Sequence, residues 1–206
     1  MPSWYKLNRI YIWNTEVRPS SELVYDFTST NNMTFLWRQN SYTWYGRTSW
    51  SWYYSQVTDS SLYRTDTVWK FPDEAYTKWT PKVFKIEINV PNTNSWAWLC
   101  YGAWDTSNYN YRWRWLGCWD AGSLNMMTVP WPSYQSYTYS TWVQTLVIDL
   151  GEKKMYIEWN NSTPITLSDT YVTNIRTYWA NKDIYINVVA NQTYVTTYVR
   201  KCTITF

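Results

Sequence analysis

Residue types that do chemistry are unevenly spread along this chain. There is no histidine among its 206 residues. That removes imidazole acid–base catalysis, the Ser-His-Asp triad and every histidine-containing zinc site. Carboxylates remain, and two of them at a fixed separation are what glycosidic-bond cleavage requires. Here they are scattered. Asp73 and Glu74 are neighbours whose side chains would splay apart in a strand, and Asp149 and Glu158 share a face only as surface polarity would place them. Asp105 with Asn108, or Asn160 and Asn161 with Asp169, supply oxygens without the ligand spacing of a calcium loop. No cofactor is therefore expected, and a structural calcium has no support. Cys100, Cys118 and Cys202 make an odd set, expected as three buried, reduced thiols.

What the chain has in abundance is ring surface. It carries 18 Trp and 21 Tyr against 5 Gly, and charged residues are only 16%. The polar surface must then be built from Ser, Thr, Asn and Tyr. Neutral hydrogen-bonding groups beside flat rings suit neutral sugars, and the same palette fills antibody paratopes. Net charge is +3 with no basic block, so nucleic acid is not an expected partner. No stretch of about eighteen apolar residues is present to insert into a membrane. No secretory signal peptide is visible at the N-terminus.

The elements that must position these rings are strands. Ser95 to Asp120, SWAWLCYGAWDTSNYNYRWRWLGCWD, reads as a hairpin turning at Asp105–Asn108. With Trp104 opposite Tyr109, Cys100 meets Trp113 and Trp98 meets Trp115. One face then holds Trp96, Trp98, Trp104, Tyr109, Tyr111, Trp113 and Trp115. Each such ring buries about 150–250 Å², so the whole set exceeds an ordinary exposed patch. That face is expected to be core or subunit interface. The ligand side is expected on its polar reverse and tip. The candidate ligand-binding residues are Tyr101, Asp105, Asn108, Asn110, Arg112 and Arg114, with Trp119, Trp131 and Tyr134 beyond.

Elsewhere Lys82–Val90 is a strand with Phe84, Ile86, Ile88 and Val90 turned inward. Pro72–Pro81 is a loop or a single helical turn. Trp142–Leu150 and Met155–Asn160 pair with Leu150 on Met155, Ile148 on Ile157 and Leu146 on Trp159. Ile184–Ala190 and Tyr194–Phe206 are expected as a last hairpin, with Ile184, Ile186, Val188, Cys202, Ile204 and Phe206 inward. No long helical period is apparent. The fold class is all-β: a two-sheet antiparallel β-sandwich, or jelly roll. Residues 1–206 form one domain, with 1–19 as an attachment or first-strand segment.

Trp142 to Asn161, WVQTLVIDLGEKKMYIEWNN, followed by IYI at Ile184 and a closing strand to Phe206, resembles the laminin-G/concanavalin A-like jelly roll. Ile10–Ser20, IYIWNTEVRPS, looks like the lead-in to such domains in phage tail and appendage proteins. The resemblance implies a sandwich that binds glycan or a host-surface receptor, often as a homo-oligomer with other virion proteins. It places the chain on a virion or extracellular surface. The main expectation is thus a non-catalytic appendage, not an enzyme. The alternatives are a structural assembly subunit (capsid, decoration or fibre) and a jelly-roll glycanase. Glycanases resembling laminarinases carry E-x-D-x-x-E on one strand, a pattern absent here.

Overall fold

The computed structural model describes residues 10–12, 15–17, 22–27, 34–38, 53–56, 65–90, 95–102, 114–119, 123–126, 133–136, 143–158, 163–190 and 196–206. β-branched and aromatic residues at alternating positions favour strands, and strands dominate. They are β1 (Ile10–Ile12), β2 (Thr15–Val17), β3 (Glu22–Asp26), β4 (Thr34–Arg38), β5 (Tyr53–Gln56), β6 (Thr65–Lys70), β7 (Val83–Asn89) and β8 (Ser95–Tyr101). After them come β9 (Arg114–Trp119), β10 (Ser123–Met126), β11 (Ser133–Ser136), β12 (Gln144–Asp149), β13 (Lys154–Ile157), β14 (Ile165–Thr166), β15 (Ile184–Ala190) and β16 (Thr196–Thr205).

Two seven-stranded antiparallel sheets pack face to face. Sheet I runs β11-β10-β9-β8-β15-β6-β4, and sheet II runs β14-β13-β12-β7-β16-β3 with β5 also on β16. β1 and β2 form a separate two-stranded ribbon. The jelly-roll sandwich expected from strand spacing is therefore the architecture found. Between the sheets lies one apolar cluster, with Leu99, Leu116, Ile184 and Ile186 from sheet I and Phe84, Ile86, Leu146, Ile148 and Ile204 from sheet II. The period of two in β7 holds, since Phe84, Ile86, Ile88 and Val90 are buried.

Two helices close the sandwich. The first, α1 (Asp73–Tyr76), is the single turn expected after Pro72. Its Tyr76 hydroxyl donates to the backbone oxygen of Ile184 at 2.7 Å, tying α1 to the start of β15. The second, α2 (Asp169–Ala180), is a 12-residue helix that corrects the absence of a helical period. Ser168 caps it by accepting from the Tyr171 amide. Tyr171, Val172, Ile175 and Trp179 form its buried stripe at helical spacing.

Strand partners differ from expectation in three places. Ile148 meets Met155 and Leu146 meets Ile157, a two-residue shift from the predicted pairing. The cause is Asp149: its Oδ1 accepts from the amides of Gly151 and Glu152, each at 2.8 Å, and so starts the turn earlier. A shift of two keeps each side chain on its predicted face. In the aromatic hairpin Cys100 meets Trp115 and Trp98 meets Gly117, again two residues away. Finally, β15 and β16 are not a hairpin. β15 lies between β8 and β6 in sheet I, while β16 lies in sheet II. Their inward residues are as predicted, because Ile184, Ile186, Val188, Cys202, Ile204 and Phe206 are all buried.

Candidate functional site

The two sheets have opposite outward faces. On sheet II that face is ionic. Lys85 Nζ lies 2.6 Å from Glu158 Oε1. The hydrogen bond to Glu158 holds the Lys85 ammonium above its ordinary pKa. A bulge between Val199 and Lys201 lets consecutive cations reach one carboxylate: Arg200 Nε is 3.4 Å and Lys201 Nζ 2.8 Å from Glu87. This is a solvated, charge-balanced back. It also explains Glu158 as a lysine partner and Asp149 as a turn cap, so neither belongs to a catalytic pair.

On sheet I the strand registers line up rows of a different composition. One register row crosses the sheet from Tyr134 through Asn125, Gly117, Trp98, Asn187 and Val68 to Trp37. A second row runs Trp119, Trp96, Val189, Asp66, and a third runs Trp115, Cys100, Tyr185, Lys70. At the centre, Trp98 Nε1 donates to Asn187 Oδ1 at 2.6 Å, joining β8 to β15. Both residues are nearly closed to solvent, at 4% and 3% exposure, yet neither belongs to the core cluster between the sheets. They form a rigid polar floor beneath this face. Gly117 is required beside them: a Cβ there would stand 2.4 Å from the Ala97 oxygen and 2.4 Å from Trp98 Cβ. At the end of β8, Gly102 takes φ 117°, which only glycine adopts readily. Its amide donates to the Asp183 oxygen. Burial and the Asp183 carboxylate, which accepts from the Tyr185 hydroxyl at 3.0 Å, push the Tyr185 phenol above the usual range.

The candidate residues named from sequence divide. Tyr101 is 1% exposed and packs against Tyr171 and Tyr178 at centroid distances of 6.3 and 5.3 Å. It is a core residue, which corrects its expected place beside a ligand. The hairpin register sets Leu99 against Leu116 and Ala97 against Cys118, where Arg114 had been expected opposite Leu99. Ala97, Leu99, Tyr101, Leu116 and Cys118 all join the core cluster between the sheets, so the side expected to be the polar reverse is the core side. Arg114 pairs with Tyr101 at the start of β9. Trp119 is the register partner of Trp96, and Tyr134 that of Asn125, in sheet I. Asp105, Asn108, Asn110, Arg112 and Trp131 lie outside the described residues. Asn187, Asn125 and Asp66 were not anticipated. Asn187 had a signal, as a polar residue inside the otherwise apolar run IYINVVA.

Cys100, Cys118 and Cys202 are buried thiols. Burial drives the Cys202 thiol well above its ordinary range. Asp169, whose oxygens lack the spacing of a calcium loop, is paired with Lys153. Among the described residues no group of three or more His, Cys, Asp or Glu is placed to hold a metal.

No family model matches the chain. No curated protein matches it either. Among solved structures it is similar to a chain described as Crh5 transglycosylase in complex with NAG. The TM-score is 0.52 and the identity 11%, covering 90% of this chain and 84% of that one. The apo Crh5 transglycosylase covers the same shares at a TM-score of 0.48. The first likeness is one of fold and agrees with the jelly-roll sandwich. It also corrects the expectation of a non-catalytic virion appendage. A solved chain that shares this fold is described as a transglycosylase, which fits the glycanase alternative better.

Proposed function

We propose that the chain is a glycan-processing protein of the jelly-roll type, which cleaves or transfers saccharide chains laid on the outward face of sheet I. The observation that carries this reading is the contrast between the two faces. Sheet II is covered by ion pairs, whereas the register rows of sheet I hold Trp, Tyr and Asn positions around a fixed Trp98–Asn187 pair. A pyranose offers one flat C–H face to an aromatic ring and hydroxyls to amides. Sites of this kind join apolar walls to a few placed polar groups. The fold likeness to a transglycosylase seen with NAG supports the same reading.

Breaking a glycosidic bond requires a carboxyl acid and a second carboxylate as nucleophile or base. Among the described residues Asp66 is the carboxylate on a strand of sheet I, in the register row of Trp96 and Trp119. Asp105, in the expected turn of the aromatic hairpin, and Asp120, at its end in sequence, lie outside the described residues. They are the candidates for its partner.

The test is a donor–acceptor assay. The purified chain is incubated with a panel of polysaccharides and a fluorescent oligosaccharide acceptor, and products are read by mass spectrometry. Shortened or transferred chains are expected, and their formation should drop by at least about a hundredfold in Asp66→Asn. A folded protein that yields no product from any donor would overturn the proposal.

A further inference from the structure

Trp179 sits in a cluster of buried rings, 4.7 Å from Tyr76 and 5.8 Å from Phe71 between centroids. Its Nε1 is buried with no hydrogen-bond partner among the described residues. An indole N–H donates and cannot accept. An electron removed from Trp179 therefore leaves a positive charge with no base to take its proton, and an unpaired charge in apolar surroundings is strongly disfavoured. The neighbouring phenol relieves this little. The Tyr76 hydroxyl donates to the Ile184 backbone oxygen, and an amide oxygen is a very weak base.

Tyr185, one residue along β15 from that oxygen, is built differently. Its hydroxyl donates at 3.0 Å to Oδ1 of Asp183, a half-buried carboxylate just before the strand. A carboxylate accepts a proton where a backbone carbonyl does not. The two phenols are also close enough to act on each other. Burial first, and then the charge Tyr185 would carry, push the Tyr76 phenol above its usual range.

We infer that Tyr185 and Asp183 form a redox outlet for the aromatic core, where an electron hole created at Trp179 or Tyr76 comes to rest. A diffusible one-electron oxidant takes one electron, which Tyr185 supplies by way of Tyr76. The phenolic proton crosses the existing hydrogen bond to Asp183. The products are a neutral tyrosyl radical, a neutral carboxylic acid and the reduced oxidant, so no charge stays stranded among the rings. Asp183, half-buried, hands the proton on to water. The indole that packs against α1, β7 and the C-terminal Phe206 is thereby spared.

The test is flash photolysis of the whole chain with a tris(bipyridine)ruthenium photo-oxidant and persulfate. Transient absorption follows the radicals, and spin-trap adducts are mapped by mass spectrometry. An indole radical cation should decay as a tyrosyl radical grows in, with the adduct on Tyr185 and a slower step in heavy water. Tyr185→Phe keeps the ring and should abolish that growth and its isotope effect while the indole signal lasts longer. Asp183→Asn keeps an acceptor oxygen but removes the base, and should do the same. Tyr156→Phe, on sheet II, should leave the kinetics unchanged. Circular dichroism checks the fold of each variant, and adduct mapping on the unaltered chain decides the matter where a variant does not fold. Adducts on Trp179, Tyr76 or Cys100 in place of Tyr185, or unaltered kinetics in folded Asp183→Asn, overturn the inference.

Discussion

Trp98 and Asn187 depend on each other because an indole N–H lies 2.6 Å from an amide oxygen at closed positions. Asn187→Leu removes the acceptor and strands a buried donor, so it should cost about 1–3 kcal/mol in urea unfolding. Adding Trp98→Phe should cost less than the sum of the single changes, as contacting partners do. Next to this pair, Gly117→Ala forces a Cβ onto the Ala97 oxygen and the Trp98 backbone. A loss of about 1–3 kcal/mol is expected, read as a lower thermal midpoint. At the surface, Lys182 and Lys153 hold the carboxyls of Asp73 and Asp169 below the ordinary range, by hydrogen bonding and then by charge. Lowered folded pKa values contribute stability above the ordinary carboxylate range that is lost as pH falls through the depressed values. Unfolding free energy measured against pH should therefore decline on the acid side, and Asp73→Asn with Asp169→Asn should flatten that decline. Residues such as Phe84 and Ile86 were legible in the sequence, because a period of two in an apolar strand needs no partner to be read. Asn187 was not, because its meaning depends on a tryptophan 89 positions away.

Helix α2 ends in two closing hydrogen bonds, Lys182 N–H to the Trp179 oxygen and Asp183 N–H to the Tyr178 oxygen. This is a Schellman arrangement with lysine at the left-handed position, φ 62°. Since L-residues are disfavoured there, Lys182→Gly should stabilise the chain by about 1 kcal/mol in an Asp73→Asn background, where the ion pair is already gone. Thermal denaturation of the two variants checks it. The same turn launches β15 toward Tyr185 and Asn187, so the cap sets part of the site. The helix itself was hidden by composition. Thr, Tyr, Val and Asn are mediocre helix formers, although Tyr171, Val172, Ile175 and Trp179 carry the helical spacing. Burial of those residues against both sheets outweighs their propensity. Both predicted hairpins shifted by two residues for local reasons: a side-chain-capped turn at Asp149 in one, and in the other the gain from setting Leu116 and Cys118 beside Leu99 and Ala97.

Trp179 joins the molecule as a whole. Its ring lies 4.7 Å from Tyr76, 5.8 Å from both Phe71 and Phe84, and 6.1 Å from Phe206, so it touches both sheets and both helices' surroundings. Trp179→Ala should cost about 3–5 kcal/mol and loosen the sandwich. Trp179→Phe, which keeps an aromatic filler, should cost clearly less, as differential scanning calorimetry would record. At this scale the sequence determined that the chain is a jelly-roll sandwich, where β7 and β12 turn their apolar sides, and that histidine and metal-cluster chemistry are excluded or unsupported. Those facts follow from residue type and alternation, which are local. Tertiary structure alone decided that β15 and β16 part into different sheets, and that Leu99 and Tyr101, not the tryptophans, face the core. It alone brought Asn187 to Trp98 and Asp66 into the row of Trp96 and Trp119. Alternation names two faces of a strand but not which one is outward. That choice rests on what the neighbouring strands place beside it: β15 and β9 set Ile184, Ile186, Leu116 and Cys118 on the side of Leu99 and Tyr101, and that side joins the core.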